Sequence, residues 1–426
     1  MKKTILALIL TFFITNISIG QNPIKQNNDS LLKVWQSRFD SIATNKQIAF
    51  LRSFDGIPTD TSGNFNMSGM QLQKLPDISK FNNITYLNAS NNKLKKISAR
   101  SIQIDRLKSL NLSNNELKRI RFSSDSQITS LDLSGNNFKR IPRSILKLKK
   151  LTTLSINQNQ STPFSENRNK VKRIPRFIRK MPALISIEIN FNRLKLTKND
   201  VKRLSNIEIL VAAGNEITEL PENIEDLKSI KNLNLSKNKI SSLPQNFALL
   251  DSLESVIFYK NEFNNIPSQI TSLTNLKIID FYYNNIDEIP IEIGNLQDLK
   301  ILFLAYNNIE VLPDTMRSLH KLRAFYIHDN RLANIPGWII ELPSLEILDI
   351  SYNNLFSIPE MSGMKALYEV DIQENNIDHF PWKLMEKPNL KLLIIKGNPF
   401  ILTSEEKRQL EVTLIEKRAV GIVVVD

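Results

Sequence analysis

The chain of 426 residues contains no cysteine. That excludes disulfides, thiol nucleophiles, Cys-based zinc sites and a lipid anchor attached through cysteine. Histidine is nearly absent as well. His320, His328 and His379 are the three present, and they lack the spacing of a metal-ligand set. Glycine totals 11, and none of it forms a loop of the kind that cradles phosphate. Beyond the first 20 residues, no apolar run approaches the roughly 18 needed to cross a bilayer. No catalytic residue, metal or cofactor is therefore expected.

Asparagine, in contrast, is abundant and in register. Along most of the chain it returns every 23 residues inside the pattern apolar-x-x-apolar-x-apolar-x-x-Asn-x-apolar, as at Leu299, Leu302, Leu304, Asn307 and Ile309. The pattern recurs with Asn92, Asn115, Asn136, Asn159, Asn192, Asn215, Asn238, Asn261, Asn284, Asn330, Asn353, Asn375 and Asn398. A unit this short cannot bury its own apolar side, so successive copies must stack into a solenoid.

Counting from the first apolar residue, slots 4 and 6 are apolar between polar slots 3, 5 and 7. That is the period of a short strand with one face inward. Strands of successive coils are expected to lie side by side as a parallel sheet. The Asn at slot 9 is polar among apolar neighbours, so its amide must bond the turn backbone within and between coils. Slots 14 and 15 are commonly Leu-Pro or Ile-Pro, as at Leu220-Pro221 and Ile335-Pro336. Proline suits an outer segment that forms no ladder. Apolar residues three apart then follow, as in Ile224, Leu227 and Ile230, predicting short 3₁₀ turns on the convex side.

These residues resemble the leucine-rich repeat family in its 23-residue, Leu-Pro-containing form, and the resemblance spans roughly residues 62–400. It implies an α/β solenoid: a curved horseshoe with its parallel sheet on the concave face and a binding role. A degenerate first coil carries Met70 in the Asn slot. The repeat starting at Leu151 runs 33 residues, with ten extra placed after Asn159, near 161–170. Extracellular members often close their ends with disulfides, so this chain must cap its solenoid otherwise.

Lys2 and Lys3 precede an apolar run from Ile5 to Ile14, and Ser18-Ile19-Gly20 offers small residues for cleavage before Gln21. Residues 1–20 read as a signal peptide, which makes the protein secreted, periplasmic or cell-surface, with no transmembrane span in the mature chain. Residues 21–61 read as a helical cap and 62–402 as the solenoid of about 15 coils. Residues 403–426 read as a C-terminal cap of a helix, with Leu410, Leu414 and Ile415 on one face, and a final strand.

Charge divides along the solenoid. Residues 92–203 hold 27 Lys/Arg against 7 Asp/Glu, whereas residues 204–426 hold 20 against 31. Slots 12 and 13 are Lys95-Lys96, Lys118-Arg119, Lys139-Arg140 and Lys172-Arg173, which stack as one basic column. The column is either a solvated face or a site for an anionic partner such as acidic polysaccharide, lipid headgroups or an acidic protein. Nucleic acid ranks last, because no recognition motif accompanies the charge.

The tyrosines occupy outward slots. Coils starting at Leu253, Leu276, Leu299, Leu322 and Leu345 place Ile257, Tyr259, Asp280, Tyr282, Tyr283, Phe303, Tyr306, Tyr326, His328, Asp349 and Tyr352 on one face. Exposed aromatics bordered by carboxylates are what a binding surface uses. Lateral packing that steadies the sheet is the alternative, and Tyr just before the repeat Asn is frequent in the family. Asp280 and Asp349 sit three strands apart, about 14 Å, too far for a glycosidase pair. The expected function is recognition of a protein or glycan through the concave face. An intracellular-type signalling scaffold and a glycan-active enzyme are the alternatives.

Overall fold

In the computed structural model the described residues are 63–76, 78, 83–158, 169–419 and 423–425. The chain divides at Thr61, and the description below concerns Ser62–Asp426. The expected signal peptide and N-terminal cap lie outside the described residues, as do residues 159–168.

Sixteen short strands, from Asn64–Asn66 to Val423–Val425, form one parallel sheet in chain order. Each strand covers slots 3 to 5, and slot 4 is buried throughout, as the strand Tyr86–Asn88 and its successors show. Slots 4 and 6 build the core: Ile279, Phe281, Leu302, Leu304, Phe325 and Ile327 are each 0% exposed. Equal slots pair across strands, so slot 5 runs Ile257, Asp280, Phe303, Tyr326, Asp349 and Asp371 along the sheet. The expected solenoid is the fold the chain adopts.

The asparagine ladder closes each turn. Asn115 accepts the N–H of Leu94 in the preceding coil at 3.0 Å. Its Nδ2 donates to the carbonyls of Ala89, one coil back, and of Leu112 in its own coil. Asn307 repeats the set with Ile286, Phe281 and Leu304. Each amide thus satisfies groups on two coils at once, and so remains buried without leaving an orphan polar group.

One ladder assignment is corrected. In the coil starting at Leu151 the ladder residue is Asn169, not Asn159. Asn169 accepts the N–H of Phe138 at 2.9 Å and donates to the carbonyl of Leu133. Its own N–H donates to Gln158 Oε1 at 2.8 Å. The ten extra residues therefore fall between slots 8 and 9, before the ladder residue. The reason is packing: Asn169-Lys170-Val171 supplies the apolar residue at slot 11, and Val171 is 0% exposed, whereas Asn159 is followed by Gln160 and Ser161.

On the other side, the Pro slot hands over to 3₁₀ turns. Pro142, Pro244, Pro290 and Pro313 precede the turns Arg143–Lys147, Gln245–Leu249, Ile291–Asn295 and Asp314–Ser318. The coil after Asn192 has no proline there. It forms the α-helix Lys198–Arg203, started by a capping box between Thr197 and Asp200. At the far end lies the helix Ser404–Ala419, and the strand Val423–Val425 pairs with Leu392–Ile394. Leu414 is buried there, but Ile415 is 68% exposed. The expected shared face of Leu410, Leu414 and Ile415 does not form.

Candidate functional site on the outward face of the sheet

Slot 8, the residue before the ladder Asn, takes a left-handed backbone in coil after coil. Asn91 and Asn114 have φ of 54°, and Gly135 has 61°. Tyr283, Tyr306 and Tyr352 adopt φ of 57°, 52° and 48° at the same slot. The left-handed region costs an ordinary side chain roughly 1 kcal/mol, and Gly and Asn much less. The turn demands the conformation, and in these coils the chain meets it with tyrosine.

The rings pair across neighbouring strands. Tyr283 and Tyr306 stack with centroids 4.1 Å apart, and Phe303 stacks on Tyr326 at 4.8 Å. Tyr259 stacks on Tyr282, which also meets Tyr283 and Tyr306 edge-on. His328 packs edge-on against both Tyr282 and Tyr306. Tyr283 and Tyr352 remain 41% and 44% exposed. Nine of the expected residues thus form one continuous layer: Ile257 and Asp280 lie in it, and the rings of Tyr259, Tyr282, Tyr283, Phe303, Tyr306, Tyr326 and His328 adjoin across it. Tyr368, expected in a strand, instead immediately precedes the strand Glu369–Asp371, with Lys391 Nζ 4.5 Å from its ring centre.

Asp280 departs from the expected exposed carboxylate: it is 0% exposed. Its slot faces outward, but Ile257 and Phe303 flank it across the sheet and the Tyr282 ring lies two residues on. Oδ1 accepts the N–H of Tyr282 at 2.8 Å, and Oδ2 has no hydrogen-bond partner among the described residues. Burial pushes its pKa up to about 7.

Beyond the rings the face turns acidic, and here sequence reasoning stopped one coil short. Asp349 and Asp371 are paired across adjacent strands, and Glu369 precedes Asp371 by two positions. Burial and the nearby Asp349 charge push Asp371 up to about 7 and raise Glu369. His328 Nδ1 lies 2.8 Å from Asp329 Oδ2, and Nε2 lies 3.8 Å from Asp349 Oδ2. Burial opposes its charge, but the Asp329 hydrogen bond and the Asp349, Asp329 and Asp371 charges outweigh it and raise its pKa. The missed residues, Glu369, Asp371 and Glu374, were available as the same slots carried onward. At the opposite end Lys237 and Lys260 approach Tyr259 and Tyr283, and burial together with Lys260 lowers the Lys237 pKa.

The basic column lies elsewhere. Lys95, Lys96, Lys118, Arg119, Lys139, Arg140, Lys172 and Arg173 are all exposed. Lys96 and Arg119 are brought side by side in a second, two-stranded parallel sheet, Lys96–Ile97 with Arg119–Ile120. Lys95 Nζ reaches Glu116 at 3.9 Å.

Residues 260–393 match the family model of the leucine-rich repeat region, and residues 127–148 match that of the leucine-rich repeat. This chain is a leucine-rich repeat protein. No curated protein matches its sequence. Among solved structures, the leucine-rich repeat protein resembles one from Leptospira interrogans, with 25% identity over 89% of this chain and 98% of that one, at a TM-score of 0.67. A plant peptide hormone receptor in complex with RGF2 is 25% identical over 78% of this chain and 59% of the receptor, at a TM-score of 0.53. An internalin of Listeria monocytogenes shares the fold at 18% identity and a TM-score of 0.53, over 80% of this chain and 87% of that one. Leucine-rich repeats of this kind make an interaction module. Among the described residues no helix is long and apolar enough to cross a membrane.

Proposed function

We propose that this leucine-rich repeat protein is an exported, non-enzymatic binding module that recognises a protein or glycan through the outward, concave face of its sheet, around residues 257–352. One observation carries the reading: slot 8 takes a left-handed backbone that Gly and Asn adopt most readily, and the chain places the large rings of Tyr283, Tyr306 and Tyr352 there. Large rings held at a conformational cost, two of them over two-fifths exposed, are more useful to a ligand than to the sheet. Local rules broken without local gain tend to mark functional sites. The plant receptor among the structural neighbours was solved with its bound RGF2, which agrees with ligand binding by this architecture. Export rests on the segment from Lys2 to Gly20 and is tested by sequencing the mature N-terminus, expected at Gln21.

The basic column supports a second, weaker contact with an anionic surface, favoured by the register of Lys96 and Arg119. It would be screened by salt, since charges separated by more than about 8 Å interact little at physiological ionic strength.

The test replaces Tyr283, Tyr306 and Tyr352 together by Asn, the residue this chain already places at slot 8. Partner affinity is expected to fall about 100-fold, in the range of lost aromatic hot spots, with the circular dichroism spectrum unchanged. A folded variant that binds as well as the parent sinks the reading.

A further inference from the structure

We propose that the ligand of this face is an extended peptide segment carrying arginine or lysine, whose cationic side chains seat between the tyrosine ledge and the carboxylates of Asp349 and Asp371. The inference rests on the reading above and narrows it to one chemistry.

Two observations lead there. The first is charge complementarity. Asp349 and Asp371 are Cα partners on adjacent strands; Glu369 and Glu374 share the coil of Asp371, and Asp329 lies in the coil before that of Asp349. Like charges directly opposite in a sheet destabilise it. His328 and the exposed Lys396 are the only cationic groups in outward slots 5, 7 and 8 of these described coils, so the acids are left in excess. An incoming cation relieves that repulsion, which gives it a differential affinity that a neutral sugar lacks.

The second is the ring wall. Tyr352 is 44% exposed, and burial together with the charges of Glu374, Asp329, Asp371 and Asp349 raises the pKa of its hydroxyl. A guanidinium or ammonium over such a ring gains from its face and from the carboxylates together. The chain shows the contact internally, with Lys391 Nζ 4.5 Å from the centre of the Tyr368 ring.

The substitution that tests this leaves the scaffold intact. Asp349 Oδ1 accepts the N–H of Ser351, and Asp371 Oδ1 accepts that of Gln373. Asn88, Asn111 and Asn234 make the same bond at the same slot. Asp349→Asn with Asp371→Asn therefore removes charge and keeps the turn.

Two nonapeptides serve as probes, one with alternating arginines and one with citrulline, the neutral isostere, in their place. Binding to the full chain is read by fluorescence anisotropy at physiological salt. The arginine peptide is expected to bind at least about tenfold tighter than the citrulline peptide, the scale of one charge-assisted contact. The double Asp→Asn variant should erase that preference. Because residues 204–426 are net acidic, the double variant is what separates this site from general attraction to that half. Equal binding of the two peptides, no binding of the arginine peptide, or a preference that survives the double variant overturns the inference. Should a citrulline peptide or neutral oligosaccharide bind, and be lost only in the tyrosine variant, the concave-face reading stands while the cationic ligand falls. Arginine-peptide binding that ignores the tyrosine variant defeats the reading of the face itself.

Discussion

The coils before residue 204 and those after it share one backbone and one ladder, yet for the most part fill slot 8 with different kinds of residue. In the early coils Asn91, Asn114 and Gly135 fill a left-handed position with residues suited to it. In the later coils Lys237, Lys260, Tyr283, Tyr306, Asp329, Tyr352 and Glu374 occupy it, with Gly214 and Gly397 in the first and last of them. Phe191, at φ 56°, is the exception in the early part. The framework alone would accept Asn throughout. The later coils therefore carry side chains chosen for what they present outward, and the early coils leave their distinctive charge to slots 12 and 13.

The largest effect expected is on the part the two regions have in common. Asn169→Ala strips hydrogen bonds from the buried N–H of Phe138 and the carbonyl of Leu133. It should cost about 3 kcal/mol, the range for leaving several buried groups unpaired. Asn159→Ala, at the slot suggested by strict counting, should change stability by less than about 0.5 kcal/mol, as a substitution that removes no ladder bond does. Urea unfolding of both variants checks the pair; reversed values would restore Asn159 to the ladder.

A medium effect should separate the regions by pH. The Asp280 pKa is raised to about 7 by burial, while its unfolded value is 3.8. The neutral form is the one the folded state favours. Its stabilising contribution is complete below pH 3.8 and disappears as pH rises through about 7. Asp371 acts in the same direction. Asp280→Asn removes the charge, so it should raise stability at pH 8 by about 1–2 kcal/mol and flatten the profile between acid and neutral pH. Thermal melts across that range would show it, and an unaltered pH profile would mean that Asp280 is solvated.

The smallest effect bears directly on slot 8. Tyr352 has no aromatic ring contact among the described residues, and Tyr352→Asn should stabilise the fold by about 0.5 kcal/mol. Asn114→Tyr, the reverse exchange in the basic half, should destabilise it by about 1 kcal/mol. If the two exchanges shift the melting midpoint in the same direction, the contrast between the regions is not a backbone effect.

Much of this was legible from the repeat. A fixed period assigns inward and outward slots, so Ile257, Tyr259, Phe303 and Tyr326 fell on the correct face before any coordinates. Two features were not legible. Pattern shows alternation, not lateral cover, so the burial of Asp280 emerged only once Ile257 and Phe303 stood on either side of it. Backbone handedness is hidden too: Asn and Gly at slot 8 hint at it early in the chain, and the tyrosines mask it later. The ladder residue of the long coil was readable in principle, because Val171 supplies the apolar slot that Ser161 cannot.

The clamp between Asn169 N–H and Gln158 Oε1 has a consequence for engineering. Gln158 and Asn169 are consecutive positions of an ordinary coil, held together whatever chain joins them. Foreign sequence spliced between them would enter and leave at a junction already closed by that bond. That makes the seam an addressable port, where an epitope, a reporter or a protease site can be installed while the tyrosine face is left as it is.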